Sequence, residues 1–314
     1  MNGKRIALIG ATSHIAKGII AGFSSRQEAA LLLYARAPER VSDFLAASGG
    51  NSSAEVFPLT SFGSQPCDVI INCIGIGDPG KLKREPASIF TLTADWDSLV
   101  LDTLQRQPDT LYVNFSSGAV YGTDFSQPVN ETSSALFSPN ALHAEEFYGI
   151  AKLHSEARHR ALAHLNIVDL RVFGYFSRYI DLETRYLLTE IINCLKSGTE
   201  LLTTADNIIR DYVHPGDLAA LVERCIDRRR LNDVFDVYSL QPVAKFEVLD
   251  YFAARYGLRY RVAGECGVMT ATGKKAHYYS CSRRAADLGY QPAYSSLECI
   301  RTESEKIMSR LTES

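Results

Sequence analysis

The fold is decided by one stretch near the N-terminus, Arg5-Ile6-Ala7-Leu8-Ile9-Gly10-Ala11-Thr12-Ser13-His14-Ile15-Ala16. Its apolar start predicts a buried strand, and Gly10 permits a tight turn before a helix. Small side chains after Gly10 let a phosphate approach the backbone N–H groups at the helix N-terminus. Ser13 and Ala16 replace two glycines of the usual fingerprint, so an ordinary strand-to-helix turn is the alternative. We predict a dinucleotide-binding turn in which the cofactor contacts Gly10, Thr12, Ser13, His14 and Ile15.

Strands and helices alternate along the first half of the chain. Apolar runs predict strands at Arg5–Ile9, Leu31–Tyr34, Ala54–Phe57, Val69–Asn72, Thr110–Phe115 and Ile167–Val172. Amphipathic runs predict helices at Ile15–Phe23, Pro38–Ala47, Ser88–Gln105 and Ala141–His164. Such alternation implies right-handed βαβ units and a parallel sheet covered on both faces. The predicted fold class is therefore α/β, a Rossmann-type doubly wound parallel sheet.

The pattern becomes mixed from about Gly174 onward. Helices are predicted at Glu183–Lys196, Pro215–Asp227 and Phe246–Tyr256, separated by loops rich in Gly, Thr and Asn. We expect a dinucleotide-binding domain at residues 1–173 and a smaller mixed α/β C-terminal lobe, mainly for substrate binding, at residues 174–314. A strand-like run at Asp233–Val237 is expected to return to the large sheet, so part of 205–240 completes the first domain.

Composition excludes several classes of function. The chain has 314 residues, with 33 Lys and Arg against 36 Asp and Glu, and it has no basic block, so we expect no nucleic-acid partner. No stretch approaches the roughly 20 apolar residues of a membrane-spanning helix, and no signal-peptide cleavage region follows the start. We therefore expect no membrane partner and a cytoplasmic location. The cysteines and histidines lack zinc-site spacing, which predicts reduced thiols and no metal.

The end of the second strand bears on the choice of cofactor. NAD-preferring sites usually carry Asp or Glu there, but this chain has Arg36, with Arg40 one helical turn later. A guanidinium pairs well with a 2′-phosphate, so we expect NADP, with NAD as the alternative if both arginines are merely solvated. The fourth strand ends in the small residues Asn72-Cys73-Ile74. We expect the cofactor to lie along them.

Two fragments carry the predicted chemistry, Ser116-Ser117-Gly118-Ala119-Val120-Tyr121-Gly122 and Tyr148-Gly149-Ile150-Ala151-Lys152. Tyr148 and Lys152 are four residues apart, so a helix presents them on one face. The positive charges of Lys152 and an oxidised nicotinamide are expected to lower the pKa of the phenol and make it a general acid or base. Ser117 would hydrogen-bond the same substrate oxygen. A Tyr-x-x-x-Lys spacing also arises by chance on helices, but its place after the serine fragment favours a catalytic set.

Together these residues resemble the extended short-chain dehydrogenase/reductases, specifically the NAD(P)-dependent epimerase/dehydratase family that acts on nucleotide sugars. The resemblance spans nearly the whole chain and extends to three further segments, Arg171–Gly174, Ile209–Ala219 and Ser282–Pro292. It implies a nucleotide-sugar substrate and a role in cofactor binding for Phe173. It also implies substrate contacts from Gly174 and Arg210. Arg178 lies in the loop after the large sheet, where a lid over the cleft is expected, so we expect it to contact the phosphate or the sugar. Gly174 stands where Asn is common. Read without the family, Arg210 and Asp211 equally suit a structural ion pair.

The residues after Ser117 narrow the reaction. Dehydratases of this family carry an Asp-Glu pair there, and this chain has Gly118 and Ala119, which cannot do acid–base chemistry. A Cys expected of the epimerising reductases is also missing. A ketoreductase consuming NADPH and a 4-epimerase retaining NAD remain, and Arg36 favours the ketoreductase. A non-catalytic NADPH-binding regulatory scaffold is the alternative from another class.

The resemblance also implies a homodimer, paired through the helix that holds Tyr148 and the helix before it. Apolar residues along that helix, including Phe147 and Ile150-Ala151, exceed what one core-facing stripe needs. Simple burial against the sheet is the alternative.

Overall fold

The computed structural model describes residues 3–24, 29–49, 53–76, 79–228, 230–263 and 275–312. The strands are β1 Arg5–Ile9, β2 Ala30–Ala35, β3 Ala54–Pro58, β4 Val69–Asn72, β5 Leu111–Ser117, β6 Ile167–Val172, β7 Leu201–Thr203, β8 Ile209–Arg210, β9 Asn232–Asp236, β10 Val243–Ala244, β11 Tyr260–Val262 and β12 His277–Tyr278. The helices are α1 His14–Ser24, α2 Pro38–Ala47, α3 Pro79–Arg84, α4 Ser88–Arg106, α5 Ala144–Ala161, α6 Leu187–Ser197, α7 Pro215–Ile226, α8 Lys245–Tyr256 and α9 Ser296–Thr312, and short 3₁₀ turns occupy Leu59–Ser61, Gly118–Tyr121 and Arg284–Leu288. Within this part of the chain no helix is both long and apolar enough to cross a membrane. The described cysteines have free thiols, and Cys266 lies outside the described residues.

The central sheet has seven strands in the order β3-β2-β1-β4-β5-β6-β9, and every neighbouring pair is parallel. This order confirms the predicted Rossmann-type doubly wound class. The strand order reverses between β1 and β4, which leaves a crevice at their carboxyl ends. Gly10 follows β1 and Asn72 ends β4, so both lie at that edge.

Alternate residues of β1 serve opposite faces of the sheet. Ile6 and Leu8 join the core shared with helices α1 and α7, whereas Ala7 and Ile9 join the core shared with α4. A strand covered on both faces needs apolar residues at consecutive positions. That requirement explains the continuous apolar runs that identified the strands in the sequence.

The smaller lobe has its own core, in which α6, α8 and α9 pack around side chains such as Leu188, Phe252 and Ile300. Two small sheets complete it, β10-β8-β12 and β11-β7. Strand β9 pairs with β6, one residue offset from the predicted Asp233–Val237, and α7 packs against α1. The first domain therefore recruits residues beyond 173, and the exact division of the chain stays a prediction.

Two helices begin later than predicted because side chains bind the backbone N–H groups near their predicted starts. Helix α5 starts at Ala144, where the Glu146 carboxylate accepts the His143 N–H at 2.7 Å. Before α6, the Asp181 carboxylate accepts the Glu183 N–H at 3.0 Å, which folds residues 181–184 into a turn. Such local side-chain bonds compete with a helical backbone, so the apolar periodicity alone placed these helix starts too early.

A buried ion cluster ties α5 to its neighbours. His159 is fully buried, with Nε2 2.7 Å from Asp97 Oδ1 of α4 and Nδ1 2.9 Å from Asp169 Oδ1 of β6. Arg158 and Arg160 add salt bridges of 3.0 Å to Asp97 and Asp169 respectively. Burial lowers the pKa of His159, but hydrogen bonds and charges from Asp169 and Asp97 outweigh it and raise the pKa to about 9. An imidazolium therefore joins α4, α5 and β6.

Because of the His159 cluster, we expect the free energy of unfolding to decrease as the pH rises above neutrality. The pKa of His159 is about 9 when folded and 6.5 when unfolded. The stabilisation is therefore complete below the unfolded value and is lost as pH rises through the folded one, by roughly 3 kcal/mol at most. Urea unfolding at about pH 6 and about pH 9.5 measures this loss. We expect His159→Gln to abolish this component of the pH dependence. The exposed His154→Gln on the same helix is the control, and identical pH slopes in all three proteins would contradict the assignment.

Candidate active site

The predicted phosphate turn is built around Gly10. Gly10 has φ +79°, and a Cβ there would lie 3.0 Å from the Cys73 carbonyl group, so both conformation and space require glycine. The Gly10 N–H donates to the Tyr34 carbonyl oxygen at 3.0 Å, which ties the turn to the end of β2. Ser13, which replaces a fingerprint glycine, precedes α1, and its Oγ accepts the Ala16 N–H at 3.3 Å. Ser13 therefore caps the helix whose N-terminus faces the crevice.

The end of β4 joins this turn. Asn72 Oδ1 accepts the Ile74 N–H at 2.9 Å and its Nδ2 donates to the Tyr112 hydroxyl at 3.0 Å, so the Asn72 side chain shapes the backbone after the strand. Burial raises the pKa of the Cys73 thiol. The Ser13 side chain and the charge of Lys152 lower it, but less strongly. The structure thus brings the phosphate turn, the end of β4 and Lys152 together.

The remaining residues of the turn differ in exposure and charge. Thr12 and Ile15 are half-buried at the start of α1. The His14 ring meets the Tyr175 ring edge-on, with centroids 4.8 Å apart. Burial lowers the pKa of His14 to about 4, so the imidazole is neutral at neutral pH. Contact of these residues with a cofactor stays a prediction.

Ser117 lies at the carboxyl end of β5 between two phenols. Its Oγ is 3.2 Å from the Tyr278 hydroxyl, and the Ser117 hydroxyl lies near enough to Tyr148 to lower the pKa of that phenol. The same oxygen accepts the Ala119 N–H at 3.2 Å, which fixes the serine rotamer. Tyr278 comes from β12 near the C-terminus, and no motif in the sequence pointed to it.

Three residues at the end of β5 contact three residues spaced one turn apart on α5. The Phe115 carbonyl oxygen accepts from Lys152 Nζ at 2.8 Å, Ser116 Oγ donates to Glu156 Oε1 at 2.5 Å, and Ser117 lies beside Tyr148, whose pKa it lowers. The spacing of four residues places all three side chains on one helix face. The predicted set of Ser117, Tyr148 and Lys152 is thus assembled in space.

Two glycines let the layers approach this closely. A Cβ at Gly149 would lie 2.2 Å from the Ala119 carbonyl oxygen, so α5 rests directly on the 3₁₀ turn after β5. A Cβ at Gly118 would lie 2.3 Å from the Phe173 ring. The Phe173 ring therefore occupies the space that an acidic side chain at position 118 would need.

Burial dominates the electrostatics of the catalytic set. It raises the pKa of Tyr148, and the hydrogen bond from Ser117 only partly offsets it. Burial also lowers the pKa of Lys152, against the charges of Asp169 and Asp97, which raise it. The expectation that Lys152 and an oxidised nicotinamide together lower the pKa of the phenol stays a prediction, because in the chain on its own desolvation raises that pKa. The protein by itself keeps Tyr148 protonated at neutral pH.

A cationic corner lies beside Tyr278. The Arg210 guanidinium is 5.8 Å from the centroid of the Tyr278 ring and donates to the backbone carbonyl oxygens of Ile209 and Lys275 at 2.8 and 2.7 Å. Lys275 Nζ is 4.6 Å from the centroid of the same ring. The Asp211 carboxylate accepts instead from Ser239 and Ser296. Arg210 therefore lies near the catalytic set, and the sequence did not indicate Lys275.

Gly174 and Arg178 have partners within the protein. A Cβ at Gly174 would lie 2.4 Å from the Asp211 carbonyl oxygen, which leaves no room for an Asn side chain. Arg178 Nε donates to Glu303 Oε2 at 2.9 Å, and His214 Nε2 is 3.4 Å from Glu303 Oε1. Burial raises the pKa of Glu303, but hydrogen bonds from His214 and Arg178 outweigh it and lower the pKa to about 2. Arg178 thus anchors its loop to α9, and a substrate contact for Gly174 or Arg178 stays a prediction.

Three cations surround the end of β2. Arg36 and Arg40 are exposed, and Lys17 of α1 lies 5.7 Å from the centroid of the Phe44 ring. Burial and the charge of Arg40 lower the pKa of Lys17, while Asp181 opposes them. Lys17 was missed from the sequence because it follows the last position of the glycine pattern, Ala16, and is not part of it.

Solved structures share this fold. The chain matches a UDP-glucose-4-epimerase from Stenotrophomonas maltophila with bound NAD, at 18% identity and TM-score 0.80 over 99% of both chains. It matches a UDP-N-acetylglucosamine 4-epimerase from Methanobrevibacter ruminantium M1 at 14% identity and TM-score 0.80, over 99% of this chain and 100% of the other. A dTDP-glucose 4,6-dehydratase from Bacillus anthracis in complex with NAD matches at 12% identity and TM-score 0.76, over 98% and 97%. At these identities the likeness shows the fold alone.

Sequence comparisons identify the family. A search of curated proteins found no match. The model of the NAD dependent epimerase/dehydratase family matches residues 55–240, which is more than half of the chain. The chain therefore belongs to the NAD dependent epimerase/dehydratase family.

Proposed function

We propose that this protein is an NADPH-dependent ketoreductase that reduces a keto group on a nucleotide-linked sugar. The observation that carries the proposal is the packing of one face of α5 against the end of β5, where Lys152 Nζ donates to the Phe115 carbonyl oxygen at 2.8 Å and the Ser117 hydroxyl lowers the pKa of Tyr148. A protein that only binds a dinucleotide needs no acid–base pair at this place. The family match supports a nicotinamide dinucleotide and a sugar substrate.

The chain's own residues supply binding, orientation and a proton. A bound nicotinamide would supply the hydride. Ser117 holds the substrate carbonyl oxygen by a hydrogen bond, and Tyr148 delivers its phenolic proton to that oxygen as the hydroxyl forms. Because burial raises the pKa of Tyr148, the phenol is protonated before reaction. A protonated phenol suits reduction of a carbonyl rather than oxidation of an alcohol. Lys152 donates a hydrogen bond to the Phe115 carbonyl oxygen, and its positive charge stabilises the Tyr148 phenolate that remains.

The cofactor site fits a dinucleotide, and its outer end favours NADP over NAD. Gly10 gives the tight turn before α1, whose N-terminal N–H groups suit a phosphate. No acid stands at the end of β2, where Arg36 is found, and Arg40 and Lys17 lie nearby and influence each other's charge. Structural neighbours contain NAD, so the NADP preference is a property that we assign to this chain's own residues.

A 4-epimerase with retained NAD is the second candidate, because the same three residues can remove and return a proton at one oxygen. Two of the structural neighbours are named as 4-epimerases. Mass spectrometry of the dinucleotide released on denaturation separates the candidates. An empty site that prefers NADPH over NADH supports the ketoreductase, and retained NAD supports the epimerase.

We also propose a homodimer that pairs through α4 and α5. Phe90 and Leu99 of α4 are both more than one-third exposed, and the Phe147 ring of α5 lies with its centroid 5.5 Å from that of Phe90. This apolar face continues across both helices, as a symmetric four-helix contact requires.

Removing the cations at the end of β2 tests the choice of cofactor. We expect the double variant Arg36→Ala, Lys17→Met to raise the Kd for NADPH by roughly tenfold or more and to leave the Kd for NADH unchanged. Fluorescence titration measures both constants. Arg255→Ala, an exposed arginine of α8, is the control. Equal affinity of the wild-type protein for NADPH and NADH would contradict the proposal.

Replacing the proton donor tests catalysis. Tyr148→Phe should lower turnover by on the order of 10² or more with keto sugars linked to uridine or thymidine diphosphate, because it removes the phenolic proton that the mechanism delivers to the substrate oxygen. The Kd for NADPH should stay within about twofold. Tyr279→Phe, half-buried next to the site, should behave like wild type. Unchanged turnover in Tyr148→Phe would favour the non-catalytic scaffold.

A further inference from the structure

Lys275 is a half-buried cation that the proposed mechanism does not use. Its Nζ lies against two aromatic rings, 4.7 Å from the centroid of Phe125 and 4.6 Å from the centroid of Tyr278. Its hydrogen-bond acceptor is the Gly122 carbonyl oxygen, at 3.4 Å. Among the residues that the structure describes, Lys275 forms no salt bridge.

A second cation lies beside it rather than a counterion. Arg210 donates to the Lys275 carbonyl oxygen, and both cations face the Tyr278 ring. Burial and the charge of Arg210 lower the pKa of Lys275 to about 8, against a weaker influence of Glu145. Two adjacent charges in a desolvated corner are costly, and contacts with ring faces compensate only part of that cost. An anionic ligand would neutralise this excess of positive charge.

The position of Lys275 relates this corner to the reacting sugar. The ring that it contacts carries the hydroxyl 3.2 Å from Ser117 Oγ. An anion bound by Lys275 would therefore be separated from the substrate oxygen that Ser117 holds by the Tyr278 side chain alone. Substrates of the proposed class have two groups that can provide such an anion, a carboxylate on the sugar and the diphosphate that joins sugar and nucleotide.

We propose that Lys275 and Tyr278 form an anion subsite next to the reacting sugar, which takes an oxyanion of the substrate itself. This inference rests on the proposed function, because it places the subsite relative to the oxygen held by Ser117. The proximity of Lys275 to Tyr278 favours a sugar carboxylate, as in a nucleotide-linked uronic acid, over the diphosphate. In this arrangement Arg210 binds the diphosphate of the substrate.

The test compares binding of matched ligands by calorimetry to the full chain. The probes are glucose and glucuronic acid, each linked to uridine, thymidine or guanosine diphosphate. The variants are Lys275→Met, which keeps the apolar stem, and Lys275→Arg, which keeps the charge. Circular dichroism and the melting temperature show whether each variant is folded.

Each outcome bears on the proposal. We expect Lys275→Met to bind the uronate probe roughly tenfold or more weakly and the glucose probe unchanged, with Lys275→Arg close to wild type. An equal loss for both probes would identify the diphosphate as the bound oxyanion and would also support the subsite. Unchanged affinity for both would overturn the subsite and leave the proposed function intact. If wild type bound none of the probes, the proposed function would fail, and the inference would fail with it.

Discussion

The close packing of helix α5 against the end of strand β5 is the constraint on which the rest of the site depends. Tyr148, Lys152 and Glu156 lie one helical turn apart and contact Ser117, Phe115 and Ser116 in turn. Gly149 makes this possible, since any side chain there would meet the Ala119 carbonyl oxygen. Farther along the same helix, the His159 cluster fixes α5 to α4 and β6. One helix therefore carries its chemistry in its first half and its anchor in its second half.

Close packing also sets the protonation states. The contacts that position Tyr148 and Lys152 remove them from water, and desolvation disfavours the charged form of each. The result is a protonated phenol at rest, which is the state that a proton donor to a carbonyl needs. Positive charge is gathered farther out, at Lys17, Arg36 and Arg40 around the end of β2 and at Arg210 and Lys275 beside Tyr278. These two regions lie where the proposed cofactor and substrate bring their negative charges.

Local patterns in the sequence were enough to predict the strands of the sheet, the turn at Gly10 and the position of Tyr148 and Lys152 on one helix face, because each of these is defined by residues close together in the sequence. The start of α6 was misplaced because the bond from Glu183 N–H to Asp181 depends on one side chain rather than on periodicity. Arg178 was predicted as a substrate ligand, yet its partner Glu303 lies 125 residues away and gives no local signal. Tyr278 reaches Ser117 from 161 residues away for the same reason. The direction in which the protein alone shifts the pKa of Tyr148 could not be predicted from the sequence, because the extent of burial emerges only from the folded packing.

The central claim is that the protein alone keeps Tyr148 protonated and that a positive nicotinamide charge releases the proton. Ultraviolet difference titration of wild type against Tyr148→Phe, with and without NADP⁺, isolates this one phenol among the tyrosines. Without NADP⁺ we expect the Tyr148 phenolate signal to stay absent up to about pH 10, and with NADP⁺ we expect it to appear well below that pH. A phenolate signal that is the same in the presence and absence of NADP⁺ would contradict the account.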